Sequence, residues 1–131
     1  MANFEDNFEE TYALFTALGS VNIVNAIGAT TTAGVTLPDP TVAAISTVTL
    51  GGATPFTLPA SAVGKKLRLQ LSQDATGART PTFTTAAGSS DSIKAVGGAV
   101  TLSTTAAAVD LLTFECYVAG TWVKSGQLAI A

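Results

Sequence analysis

Residues 64–83 read GKKLRLQLSQDATGARTPTF. Leu67, Leu69 and Leu71 alternate with Lys66, Arg68 and Gln70, and that period of two predicts a half-buried strand with a polar outer face. Asp74-Ala75-Thr76-Gly77 then reads as a turn, because an Asp carboxylate caps turn amides and Gly accepts positive φ. Thr80 to Thr85 returns as a strand around Phe83. The alternation recurs downstream: Leu112, Phe114, Cys116 and Val118 interleave with Thr113, Glu115 and Tyr117. A turn at Gly120-Thr121 leads to Trp122-Val123-Lys124, and Leu128 and Ile130 close the chain. Val100 and Leu102 suggest a short strand, and the Ser/Thr/Ala run 103–108 a crossing between sheets. Upstream, Val35-Thr36-Leu37, Val48-Thr49-Leu50 and Phe56-Thr57-Leu58 are separated by Pro38-Asp39-Pro40, Gly51-Gly52 and Pro59. Short β-branched runs with frequent turns predict antiparallel strands in a sandwich or barrel. The expectation is an all-β fold: an antiparallel β-sandwich, jelly-roll-like module over residues 21–131. No exact internal repeat stands out. TVTLGG (47–52) and AVTLST (99–104) match only weakly.

Residues 1–20 are chemically distinct. Phe4, Phe8, Tyr12, Phe15 and Leu18 fall on one face of a helix. Asn3 is a suitable cap, and Glu5, Asp6, Glu9 and Glu10 suit the positive end of a helix dipole. The segment is expected to be a short acidic, amphipathic arm, helical or extended. Its apolar stripe has two readings: packing on this chain's own sandwich, or docking into a groove on another subunit.

Composition excludes several functions. Ala, Thr, Gly and Ser make up 65 of the 131 residues, and there is no histidine. Histidine-based triads and histidine-ligated metals are therefore impossible. A single cysteine cannot form an intramolecular disulfide or a thiolate cluster. Six cations against nine acids argue against nucleic-acid binding, which needs a dense basic stripe. No signal peptide and no apolar run of about 18 residues is seen, so no membrane contact is expected. Low charge with 47% hydrophobic residues favours an assembly whose neutral surfaces are covered.

Two blocks carry a family resemblance. The stretch 64–83 supplies Gln73, Asp74, Thr76, Gly77, Arg79 and Thr80. The stretch VTLSTTAAAVDLLTFECYVAGTWVKSG (100–126) supplies Leu102, Ser103, Asp110, Leu112, Thr113, Phe114, Tyr117 and Trp122. With TVTLGGATPFTLP upstream, the chain over roughly residues 45–126 resembles a β-module of tailed-phage virion proteins. Thr-Thr-Ala-Ala (84–87) departs from the Trp-Pro-like continuation of that pattern. The resemblance implies either a head decoration (cement) protein or a module at the tip of a tail fibre, often trimeric. The chain's length favours the first: a homotrimer, or alternatively a dimer, bound to the major capsid protein on the outer head surface and made in the host cytoplasm. The alternative is a receptor-binding tip module with exposed aromatics such as Trp122 or Tyr117.

No enzymatic role and no cofactor is expected. Asp110 and Glu115 are five apart on a strand and point to opposite faces, so they make no carboxylate pair. Cys116 shares a face with Leu112 and Phe114 and reads as a buried hydrophobe. GATTTAG (28–34) lacks the Lys of a phosphate loop. Lys65, Lys66 and Arg68 read as a solvated face. Candidate interaction residues are Phe4, Phe8, Tyr12 and Phe15 on the arm, Asp74 and Arg79 at the turn, and Trp122. Asp74 and Arg79 equally suit closing their own turn, and Trp122 equally suits plugging an end of the sandwich.

Overall fold

The computed structural model describes residues 24–41, 45–95 and 99–131. The expected arm, with Phe4, Phe8, Tyr12 and Phe15, lies outside them. Nine strands form: β1 (Val24–Thr30), β2 (Val35–Thr36), β3 (Ile45–Leu50), β4 (Pro55–Thr57), β5 (Lys66–Gln73), β6 (Thr82–Thr84), β7 (Ser92–Ala95), β8 (Val109–Val118) and β9 (Thr121–Ala129). The described residues are all-β. A six-stranded sheet runs β1-β3-β5-β8-β9-β7, and a three-stranded sheet runs β2-β4-β6.

Strand direction corrects the expectation of antiparallel pairing throughout. β1, β3 and β5 pair in parallel, and so do β2, β4 and β6. The chain winds through three successive turns, each giving one strand to each sheet. Val24 pairs with Ile45 and Val35 with Phe56, so the first two turns are stacked 21 residues apart. That interval is written in the sequence as Val35-Thr36-Leu37-Pro38 and Phe56-Thr57-Leu58-Pro59, a repeat that alternation within single strands does not reveal. The third turn is longer: Phe56 pairs with Phe83, 27 residues on. Antiparallel pairing holds between β5 and β8 and in the β8–β9 hairpin, while β7 adds to β9 in parallel.

The parity of each strand follows its sequence. Leu67, Leu69 and Leu71 are buried while Lys66 and Arg68 are exposed. On β8, Leu112, Phe114 and Cys116 turn inward. Leu37, Phe56 and Leu58 from the small-sheet side join Val48, Leu50 and Trp122 from the large sheet in one core cluster, a sandwich-like arrangement. Phe83 joins the two sheets. It stacks on Phe56 at 5.6 Å and meets Phe114 at 5.4 Å, contacts worth about 0.5–1.5 kcal/mol each beyond area burial. The strand expected at Val100 and Leu102 does not form, although both side chains pack against the core.

Stacked parallel turns need close backbone approach. Gly51 donates its N–H to Thr30 O at 2.9 Å, and a Cβ there would sit 2.3 Å from that oxygen. Beside it, the Thr30 and Thr54 hydroxyls bond at 2.7 Å, satisfying two buried polar groups at once.

Candidate functional site

The resemblance motif falls where β5 ends. Gln73 keeps the inward parity of the three leucines, which puts a polar side chain on the core face, 4% exposed. Its amide is fully used. Nε2 donates to Arg79 O and Ser103 O, each at 3.0 Å, and Oε1 accepts from Arg79 N at 2.8 Å. Ser103 in turn donates its N–H to Asp110 Oδ2 at 2.8 Å and its hydroxyl to Oδ1 at 3.1 Å. Asp110 is buried at the inner face of β8. The two motif blocks, far apart in sequence, are thus tied together by a polar line from Arg79 through Gln73 and Ser103 to Asp110.

Asp74 closes the turn itself. Oδ1 accepts from Thr76 N at 3.0 Å and Gly77 N at 2.9 Å, and Arg79 grips the carboxylate through Nε at 3.2 Å and Nη2 at 2.9 Å. The guanidinium foremost, then the two amides, holds the Asp74 carboxyl below its usual range, and Asp74 raises Arg79. Gly77 has φ +73°, and a Cβ there would lie 2.6 Å from Thr104 O. The structure therefore brings Asp74 and Arg79 together as the turn-closing pair.

Trp122 lies in the core. Its ring is fully buried and its Nε1 donates to Pro59 O at 3.0 Å. Nearby, Ser61 donates N–H and Oγ–H to Asp91 at 2.8 and 2.9 Å and accepts from Gly120 N at 3.0 Å. This latch closes the same end. Sequence reasoning missed Ser61 and Asp91, since neither sits in a motif or an alternating run.

The sequence places Asp39 in a turn and Lys65 on a solvated face, but it does not reveal that the two pair. Asp39 pairs with Lys65 and accepts from Thr41 N at 3.0 Å and Thr41 Oγ1 at 2.8 Å. The Lys65 hydrogen bond, then those from Thr41, lower the Asp39 carboxyl to about 2. A Pro-Asp-Pro-Thr stretch is a signal for such a turn. Glu115 faces outward, opposite to Asp110 as expected, and takes Lys66 at 2.9 Å and the Tyr117 hydroxyl. A shallow groove of about 320 Å³ beside Lys66 and Tyr117 holds Val63 and Gly64, and both of its lysines are already ion-paired.

The arrangement is a set of braces. Every acidic side chain after residue 23 accepts hydrogen bonds from this chain's own groups: Asp39, Asp74, Asp91, Asp110 and Glu115. Among the described residues no group of three or more His, Cys, Asp or Glu side chains is placed to hold a metal. Compared with protein-family models, curated proteins and solved structures, the chain finds no match in any of the three.

Proposed function

We propose that this chain is a non-enzymatic virion structural protein: a bacteriophage capsid decoration (cement) protein. In this reading it oligomerises on the outer head surface, binds the major capsid protein and stabilises adjacent capsomers. The observation that carries the reading is that the motif residues and all five described carboxylates are spent on bracing the fold. A module stiffened this way suits a mechanical task, and among the described residues every carboxylate is already bonded within the chain. The module would count as jelly-roll-like only in its layering of two sheets, because its first six strands pair in parallel. The mechanism is avidity. Weak contacts held on one rigid homotrimer, or dimer, act together as a strong one.

The second reading, a tail-fibre tip, keeps one observation in its favour: Tyr117 is 60% exposed beside the shallow groove. Trp122 offers no ring face to a glycan. The test is to add purified protein to isolated undecorated heads, image the occupancy, and run the same protein on a glycan array. Regular density on heads is the expected result. Glycan binding without head binding would replace the decoration reading with the tip reading.

A further inference from the structure

Both sheets begin at the same end of the stack. β1 and β2 are the outermost strands there, each paired on one side only among the described residues. Burial records that position. Val35 is partly buried, while Phe56, its registered neighbour one turn in, is fully buried. Ile27 is partly buried, while Val48, at the same level of β3, is buried. Val24 is 54% exposed, while its partner Ile45 is half-buried. The same positions are covered wherever a further turn lies over them, and among the described residues nothing lies over the first turn. An open parallel edge is a template for wrong pairing, and natural sheets cover such an edge with a helix or loop. In stacked folds the terminal cover is polar on its outer side.

We infer that the occupant of this end is the chain's own N-terminal segment, residues 4–18, laid along β1 with its apolar stripe against Ile27 and Val35. Three arguments select it. The first is continuity. Residue 23 leads straight into Val24, so the segment is tethered to the edge it covers, at an effective concentration in the millimolar range that a free second copy does not reach. The second is length. β1 has seven residues, about 23 Å at 3.3 Å each. Fifteen residues wound as a helix span about 22 Å, and such a helix is about 10 Å across, the spacing of two packed sheets. Residues 19–23 supply the turn back into the strand. The third is polarity. β1 and β2 carry no charge. At helical spacing Phe4, Phe8, Tyr12, Phe15 and Leu18 share one face, and Glu5, Asp6, Glu9 and Glu10 fall on the opposite one. The segment thus offers an apolar side to the stack and an acidic side to water, as a terminal cover requires. The inference concerns the fold's own edge and stands apart from the decoration reading.

The test is amide hydrogen exchange on the full chain, comparing the wild type with F8K/Y12K, which puts two charges into the stripe. In F8K/Y12K the amides of β1 and β2 are expected to lose protection at least about 10-fold, while the β8–β9 ladder keeps its own. E5Q/E9Q, altered on the acidic side alone, should exchange like the wild type. Unchanged protection of β1 and β2 in F8K/Y12K overturns the inference. Loss confined to other strands also overturns it, because the stripe would then lie elsewhere, and so does loss throughout the molecule, because the stripe would then belong to the main core. An equal loss in E5Q/E9Q assigns the effect to charge and overturns it as well. The wild type is measured at about 1 and about 100 µM, a range over which modest interfaces dissociate. Protection of β1 that appears only at the higher concentration makes a second copy the occupant and overturns the assignment to the chain's own segment.

Discussion

The three parallel turns and the β8–β9 hairpin share one sheet but are held in different ways. The hairpin has strands of 10 and 9 residues closed by a short turn, and its inner face carries Leu112, Phe114, Cys116 and Trp122. The first two turns have strands of 7, 2, 6 and 3 residues. There, hydroxyl rungs and close glycine contacts at the corners accompany the buried Leu37, Val48, Leu50, Phe56 and Leu58. The difference teaches that small residues are a requirement of stacking in one half and a surface property in the other. Where the corner of one turn lies against the backbone of the turn before it, as at Gly51 and Gly52, there is no room for a larger side chain. A hairpin registers itself through its own closing turn and can carry tryptophan.

The comparison is broken most forcefully at Trp122. Trp122→Ala removes a fully buried ring and its bond to Pro59 O, and it should cost about 3–5 kcal/mol. Leu37→Ala, in the first described turn, should cost nearer the low end of the leucine range, about 2 kcal/mol, because among the described residues that turn has a stacked neighbour on one side only and relaxes more easily. Thermal melts of the two variants check the ranking. Equal costs would mean that the halves are equally anchored.

Gly51→Ala probes the stacking itself. Its Cβ would fall 2.3 Å from Thr30 O, against backbone that cannot swing aside. The expected cost is about 1–3 kcal/mol, the usual range for overpacking. Amide exchange should show it locally: β1 loses protection and the β8–β9 ladder keeps it. Uniform loss across both regions would show that the first turn is not a separable unit.

Legibility in the sequence divides along the same line. Alternation of Leu67, Leu69 and Leu71, and of Leu112, Phe114 and Cys116, marks strand, parity and core directly, because the signal lies within one strand. The direction of pairing among β1, β3 and β5 lies in the interval between strands. Val35-Thr36-Leu37-Pro38 returning 21 residues later as Phe56-Thr57-Leu58-Pro59 records it, yet each copy alone reads equally well as a hairpin arm. The braces were half legible. Asp74, Gly77 and Arg79 are adjacent and announce a turn. Gln73 and Asp110 give themselves away only as polar residues at inward parity, and their link through Ser103 needs the fold to bring 73 and 103 together. Ser61 and Asp91 carry no local pattern at all.

The smallest effect tests the turns electrostatically. Asp39 sits just after β2, and its carboxyl is lowered from 3.8 to about 2, chiefly by Lys65 and then by Thr41. A depressed folded value means that the native state favours the ionised form more than the unfolded chain does. Its stabilisation is complete above about pH 5 and is lost as pH falls through the interval from about 4 to 2. The pair is partly solvent-exposed, its side chains 20% and 33% accessible, so the contribution should stay under about 1 kcal/mol. Asp39→Asn should therefore lower the melting temperature slightly at pH 6 and converge with the wild type near pH 2. Salt at about 1 M should shrink the difference at pH 6, since screening acts on an exposed pair. A gap that persists at pH 2, where the contribution of charge is mostly lost, would assign the effect to packing or hydrogen-bond geometry at the turn and not to charge, and would detach Asp39 from the acid response of the turns.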